Sequence, residues 1–148
     1  GRGGHMDIKK RAGLFVVFGI LISSLSLGCI DSGKNLEGTS WNLESYLNNE
    51  GNLTNLIPDT KSTIAFDKEK ISGNSGCNGF FSIYEVKGSS IKLGAIGSTL
   101  MYCAIPGVME QEQTILMRLD TIKSYKIEGN KLSFIDENNK VVLVYSKT

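Results

Sequence analysis

The stretch Ile71-Ser-Gly-Asn-Ser-Gly-Cys-Asn-Gly-Phe-Phe-Ser-Ile-Tyr84 decides how the rest of the chain is organised. Glycine and asparagine crowd its middle, Cys77 lies at its centre, and an aromatic run typical of a strand follows. A second stretch, Gly97 to Cys103 (GSTLMYC), carries another cysteine. We expect the two stretches to meet in the fold, with glycine allowing a break between two strands around Gly76.

Short antiparallel strands are predicted on both sides of this break. Alternating apolar and polar side chains, separated by turn-forming residues, predict strands at 41–47, 62–66, 70–74, 80–86 and 90–95. In the fourth of these strands, Phe81 and Ile83 share one face. The asparagine-rich segment 48–58 is predicted as a loop whose apolar side chains return to the core at Leu53, Leu56 and Ile57.

One amphipathic helix follows the second cysteine stretch. Its apolar face is predicted from residues spaced about one helical turn apart, namely Val108, Ile115, Leu119 and Ile122, with Met109 and Leu116 beside them. Pro106 suits the first turn, because its missing N–H has no partner there. Glu110 and Glu112 lie near the positive end of the helix dipole. A methionine-bearing stripe of this kind is typical of a core rather than of a cofactor site.

The chain closes with a second meander. Strands at 124–128 and 131–136 flank Gly129-Asn130, a two-residue hairpin signal, and the apolar run 141–145 predicts a strand buried on both faces. These elements predict an α+β fold. It consists of an antiparallel, strongly curved or barrel-like β-sheet with one main α-helix packed against it.

The first 35 residues are predicted to contain a tag and a targeting signal rather than part of the folded domain. Residues 1–6 (GRGGHM) are interpreted as an expression-tag remnant, and they contain the only histidine, His5. Residues 7–28 predict a lipoprotein-type signal peptide, with a positive start, an apolar run and small residues that end before Cys29. We then expect a tether at 29–35 and the folded domain at 36–148. The alternatives are a retained transmembrane anchor, or secretion after cleavage without a lipid.

Lipidation at Cys29 would place the domain on the outer face of a membrane in the cell envelope. The full chain has 16 basic and 15 acidic residues. Starting at Cys29 removes four basic residues and one acidic residue, which leaves 12 against 14 and a net charge of −2. Such a balance, with scattered lysines, is untypical of nucleic-acid binding.

Cys77 and Cys103 remain once Cys29 is assigned to a lipid. In an exported chain such a pair predicts a disulfide. Across a separation of 26 residues, the bond would stabilise the fold by about 3–4 kcal/mol in the loop-entropy model. The alternative is two buried free thiols that pack as small apolar groups.

Several short segments, taken in order, resemble a known family. They are Leu36-Glu-Gly-Thr-Ser-Trp41, Gly76-Cys-Asn-Gly-Phe-Phe81, Ser98-Thr-Leu-Met-Tyr-Cys103, Met109-Glu-Gln-Glu112 and Leu132-Ser-Phe134. Between Leu36 and Tyr145 the chain resembles the META domain of HslJ-type heat-shock lipoproteins. The resemblance implies a small α+β domain, exported and lipid-anchored, linked to envelope stress and drug tolerance, without an accepted catalytic mechanism. Tyr102 stands where many relatives have alanine, which implies different local packing.

No catalytic group of residues is predicted. Without a histidine outside the tag, the chain cannot form a Ser-His-Asp or Cys-His arrangement or a histidine metal site, and no metal or cofactor is expected. The two cysteines lack the C-x-x-C spacing that lowers a thiol pKa. Glu110 and Glu112 are two positions apart on a helix and diverge. Asn78 and Thr99 are candidate ligand contacts, the alternative being that they hold turns together.

The sequence therefore predicts a non-enzymatic, exported and lipid-anchored envelope protein with a binding or stress-tolerance role. Its expected partners are the membrane, through the lipid at Cys29, and an unidentified small-molecule or protein ligand. The alternative function is thiol redox chemistry or redox sensing by Cys77 and Cys103.

Overall fold

Eight strands of one antiparallel sheet close into a barrel. The computed structural model describes residues 36–148; the predicted tag, signal peptide, Cys29 and tether lie outside this range. The elements are β1 (Ser40–Leu47), β2 (Leu53–Asn55), β3 (Thr63–Phe66), β4 (Lys70–Asn74), β5 (Gly79–Lys87), β6 (Ser90–Leu93), β7 (Gly97–Ser98), α1 (Val108–Thr121), β8 (Ile122–Glu128), β9 (Lys131–Asp136) and β10 (Val141–Lys147).

The closure runs in the order β1-β3-β4-β5-β6-β8-β9-β10, and β10 returns to β1 with Trp41 opposite Lys147. The short strands β2 and β7 lie off this circle, paired to β1 and β5 respectively. The predicted α+β fold with a barrel-like sheet and one packed helix is thus confirmed.

Strand register defines two ends of the barrel. At the helix end, Asn74 pairs with both Thr63 and Gly79. At the terminal end, Ser40 lies opposite Ala65. The described chain enters at this second end, since the N–H of Gly38 donates to the carbonyl of Phe66 at 2.8 Å. The chain also leaves there, because the N–H of Thr148 donates to the carbonyl of Ser40 at 3.2 Å.

The barrel interior is filled by apolar side chains from its strands and from the helix. Inward positions on the strands include Trp41, Ile64, Ile71, Phe80, Ile91, Tyr125, Leu132, Phe134, Leu143 and Tyr145. The helix adds Ile115 and Leu119, both fully buried. Its far end is tied to the barrel by Arg118, whose guanidinium donates to the carbonyls of Leu47 (2.8 Å) and Asn48 (3.0 Å).

The helix is shorter than its sequence pattern predicted. Pro106 was expected in the first turn, but Gly107 in the left-handed region (φ +79°) precedes Val108 and separates the proline from the helix. Ile122 was expected on the helical face. Its backbone is instead extended, and it begins β8 while still packing in the core.

Three strand predictions need correction. The 48–58 loop contains β2, where Leu53 is largely exposed, although Leu56 does pack against the core. The two-residue β7 was not predicted. In 141–145 the side chains of Val141 and Val144 are only half-buried, since a register irregularity near Val142 alters the alternation.

Candidate functional site at the helix end

A buried carboxylate on α1 organises the helix end of the barrel. Glu112 is 5% exposed. One of its oxygens accepts hydrogen bonds from the N–H of Cys77 (3.1 Å), the N–H of Asn78 (2.5 Å) and the hydroxyl of Ser75 (2.9 Å). The other accepts from Nδ2 of Asn78 at 2.6 Å. The Ser75 hydroxyl also lies 3.0 Å from the Asn78 carbonyl. Its single hydrogen goes to the carboxylate, because a charged acceptor is the stronger one.

Asn78 continues this network into the second cysteine stretch. Its Nδ2 also donates to the carbonyl of Met101 at 3.0 Å. Its Oδ1 accepts from the hydroxyl of Thr99 (2.8 Å) and the N–H of Met101 (2.6 Å). A side-chain amide has two donor hydrogens and two acceptor lone pairs, so all of its capacity is used. Asn78 and Thr99 therefore bind each other and hold the two stretches together.

Glu112 is ionised despite its burial. Burial by itself raises the pKa of this carboxyl, but the hydrogen bonds from Asn78, Ser75 and Cys77 together outweigh it, so the pKa lies below its usual value of 4.5. Within residues 36–148 the ion pairs are Lys126–Glu128 and Lys131–Glu44. The charge of Glu112 is thus balanced by directed N–H and O–H dipoles rather than by a cation.

A disulfide adds a covalent link to the network. Cys77 and Cys103 are bonded, with their Cα atoms 6.0 Å apart. Cys77 is buried, whereas Cys103 is half-exposed. The two stretches singled out in the sequence therefore meet through four side chains: Cys77, Asn78, Thr99 and Cys103.

An open cleft of about 440 Å³ lies beside the network, between α1 and the β7 segment. Its lining residues are Asn78, Ser98, Thr99, Leu100, Met101, Met109, Glu112, Gln113 and Leu116. Leu100 is 96% exposed, although the Met101 that follows it is fixed through both backbone polar groups by Asn78. Tyr102 is largely exposed as well, so its side chain adds little to the local packing.

Among the described residues, β7 pairs with β5 and with no other strand. The N–H of Thr99 donates to the carbonyl of Gly79 at 3.0 Å, which directs the backbone groups of Thr99 toward β5. Because these groups alternate along a strand, those of Ser98, a residue that lines the cleft, point away from β5. The cleft thus combines apolar side chains with an unpaired donor and acceptor of the backbone.

The burial of Glu112 was indicated by its position in the sequence, although a charged side chain is normally expected at the surface. Val108, Glu112, Ile115 and Leu119 follow helical spacing, so the carboxylate lies on the apolar face and needs buried donors. Glu110 is exposed, so the two carboxylates diverge as expected.

Gln111 was missed too, although it fixes the loop after β2. Its Oε1 accepts from the N–H of Ile57 at 2.7 Å, and its Nε2 donates to the hydroxyl of Thr60 at 3.0 Å.

In the described part of the chain, His, Cys, Asp and Glu side chains form no cluster of three or more suited to a metal ion. The single helix of this region is not long and apolar enough to span a bilayer.

Comparison with known proteins agrees with this architecture. A solved protein from Burkholderia xenovorans is 22% identical, with a TM-score of 0.66 over 79% of this chain and 86% of its own. A second NMR structure is 22% identical (TM-score 0.58, covering 76% and 92%). A DUF4847 family protein from Bacteroides vulgatus is 12% identical (TM-score 0.54, covering 78% and 96%). These similarities show a shared fold.

No curated protein is significantly similar in sequence. The family model of the META domain matches residues 34–148, which is most of the chain and includes the network, the disulfide and the cleft. The chain belongs to the META domain family.

Proposed function

We propose that this META-domain protein is a non-enzymatic binding module of the cell envelope, exported and held at the outer face of a membrane by a lipid on Cys29. The observation that carries the binding role is the saturation of the polar network beside an open apolar cleft. The carboxylate of Glu112 and the amide of Asn78 are engaged by fixed partners. Neither group is free to move a proton for a substrate.

The cleft suits an apolar ligand, which could be a small molecule or an extended protein segment. Leu100, Met101, Met109 and Leu116 offer apolar contacts, and the free edge of β7 offers hydrogen bonds that fix orientation. The network and the disulfide hold this surface in place before binding. Preorganisation of this kind lowers the entropy cost of association.

The cysteine count supports the lipid anchor. Of three cysteines, Cys77 and Cys103 are bonded to each other, which leaves Cys29 without a partner in the chain. The sequence before Cys29 resembles a lipoprotein signal, although Ser26 stands where that pattern prefers leucine. The residues that the structure describes begin at Leu36, seven residues later. The resemblance to HslJ-type proteins adds the role in envelope stress and drug tolerance.

Metabolic labelling with a fatty acid tests the anchor. We expect label on the wild-type chain and on the Cys77→Ala/Cys103→Ala double variant, but none on Cys29→Ala. Label that survives Cys29→Ala would overturn lipidation at this residue.

Mass spectrometry of material that co-purifies with the native protein tests the binding role. Met109→Gln alters the cleft, and Met117→Gln serves as the matched control, because Met117 is exposed on the same helix but does not line the cleft. A bound apolar compound lost only in Met109→Gln supports the proposal. Equal retention in both variants would place the binding site elsewhere.

Redox chemistry is the second candidate, because the half-exposed Cys103 offers one sulfur of the disulfide to an attacking thiolate. Alkylation after equilibration with millimolar glutathione separates the two roles. A bond that persists indicates a structural disulfide, whereas reduction at physiological glutathione potentials with a change in ligand binding would favour redox sensing.

A further inference from the structure

The outer wall of strands β4 to β6 carries exposed apolar side chains. Alternation along β5 directs Phe80, Ser82 and Tyr84 inward, so Phe81 and Ile83 face outward. They are 63% and 59% exposed. The sequence placed these two on one face, and the structure shows that this face lies outside the barrel. Apolar side chains grouped on an outer surface favour an interaction site there.

Both side chains are seated on glycines. A Cβ atom added to Gly97 would lie 2.5 Å from the ring of Phe81, and one added to Gly94 would lie 2.6 Å from Ile83. Any larger residue at either position would displace them. The two apolar side chains therefore pack over the backbone of Gly97 and Gly94 on the barrel wall.

The same wall is basic. Its outward charged residues are Lys70, Glu85, Lys87 and Lys92, which sum to three positive and one negative charge, or +2. The chain from Cys29 onward carries −2 overall. Within the described range, Lys126 and Lys131 on other strands pair with carboxylates, whereas the three wall lysines form no ion pair.

The wall also lies near the start of the domain. Lys70, the first residue of β4, pairs with Ile83 at the terminal end of the barrel, where the chain enters through Gly38 beside Phe66. Seven residues, 29–35, separate the domain from the membrane and can span at most about 25 Å when fully extended. A lipid on Cys29 would therefore keep this wall within reach of the bilayer surface.

We propose that the β4–β6 wall docks on the anionic surface of the membrane to which the lipid at Cys29 anchors the chain. Phe81 and Ile83 enter the boundary between headgroups and acyl chains, and Lys70, Lys87 and Lys92 face lipid phosphates. The inference rests on the proposed lipid anchor and adds to it the orientation of the domain.

Tryptophan quenching tests the contact directly. Phe81→Trp places a reporter on the wall, and Leu100→Trp is the control at the helix end; the natural Trp41 is buried and gives a constant background. Each full-length lipidated chain is reconstituted into vesicles of phosphatidylglycerol and phosphatidylcholine with brominated acyl chains. We expect strong quenching at position 81 and little at position 100. Quenching at position 100 alone, or at neither position, overturns the proposal.

Charge reversal tests the contribution of the wall lysines to docking. Lys70→Glu/Lys92→Glu, introduced into the Phe81→Trp chain, should abolish quenching of the reporter, since each lysine near an anionic surface favours docking about fivefold. Lys123→Glu/Lys126→Glu on β8 should leave the quenching unchanged. Equal loss in both pairs would indicate a general charge effect and overturn the assignment to the wall.

Fatty-acid label on the same preparations separates this proposal from the anchor. If a chain carries the label but its reporter at position 81 is not quenched, wall docking alone is overturned. If the chain carries no label, the anchor is overturned, and so is the docking that depends on it. A midpoint temperature of thermal unfolding equal to that of the wild type confirms, for each variant, that the barrel is intact.

Discussion

Glu112 and Tyr145 are both buried ionisable side chains, but only the polar atoms of Glu112 are hydrogen-bonded in the described structure. The carboxylate of Glu112 accepts hydrogen bonds from Ser75, Cys77 and both nitrogens of Asn78. The hydroxyl of Tyr145 is fully buried without a hydrogen-bond partner in the described structure. Its ring packs edge-on against Phe134, with centroids 5.7 Å apart.

The difference separates two uses of a buried side chain. At Glu112 the polar atoms stabilise the fold, because they fix the 75–78 turn and the side chain of Asn78, which in turn binds the second cysteine stretch. At Tyr145 the ring is the useful part, and the hydroxyl carries a desolvation cost that no hydrogen bond offsets. Substitutions at the two positions should therefore change stability in opposite directions.

Glu112→Leu should produce the largest effect. It leaves the buried donors of Cys77 and Asn78 without an acceptor, and we expect a loss of about 3–5 kcal/mol in the free energy of unfolding. Urea denaturation measures the loss. Glu110→Leu is the matched control on the exposed side of the same helix, with less than about 0.5 kcal/mol expected. Similar values for both variants would show that the network adds no stability.

Replacing Cys77 and Cys103 by alanine should cost slightly less, about 3 kcal/mol in the loop-entropy model. The hydrogen bonds of Asn78 to Thr99 and Met101 still join the two stretches in this variant. Denaturation of the double variant measures the cost. A loss well above that of Glu112→Leu would show that the covalent bond, and not the carboxylate, dominates this end of the barrel.

Tyr145→Phe should raise stability by about 1 kcal/mol, because it removes an unpaired hydroxyl and keeps the ring. Tyr84→Phe is the matched control, since the Tyr84 hydroxyl donates to the carbonyl of Asp67 at 2.7 Å. The control should lose about 1 kcal/mol. Thermal unfolding compares the two. Destabilisation by Tyr145→Phe would reveal a partner, such as a buried water, for its hydroxyl.

The pH dependence should be the most modest effect, because burial opposes the hydrogen bonds that lower the pKa of Glu112. A lowered folded-state pKa contributes stability above the unfolded value, near 4.5, and that stability disappears as the pH falls further. Burial raises the pKa of Tyr145, so its contribution is lost as the pH rises above about 10.

Stability profiles of variants across pH measure both contributions. Glu112→Gln should flatten the acid limb alone, and Tyr145→Phe should flatten part of the alkaline limb alone. An acid limb that is identical in Glu112→Gln and the wild type would contradict the assignment to this carboxylate.

Local patterns predicted most of the fold. Alternation gave β4 and β9 with the bounds that the structure has, and glycine at position 76, with φ +127°, marks the predicted break between β4 and β5. Closure of the barrel was harder to predict. It depends on the pairing of β1 with β10, which lie at opposite ends of the domain, and no local pattern encodes such a register.

The candidate site was predicted only in part. The assignment of Cys29 to a lipid left Cys77 and Cys103 as a pair, and the expectation of export then predicted the disulfide that the structure has. The role of Glu112 depends on four donors from a turn more than 30 residues earlier in the chain. The sequence placed Glu112 near the positive end of the helix dipole, and only the tertiary fold supplies the donors that make its burial favourable.

The hydrogen bonds between Thr148 and Ser40 have a practical consequence for protein engineering. The hydroxyl of Thr148 lies 2.8 Å from the carbonyl of Ser40, so the beginning and end of the barrel are neighbours. Adjacent termini suit circular permutation and insertion into a surface loop of a host protein. The barrel is therefore a scaffold from which the disulfide loop could be displayed at the far end, without a strand being cut.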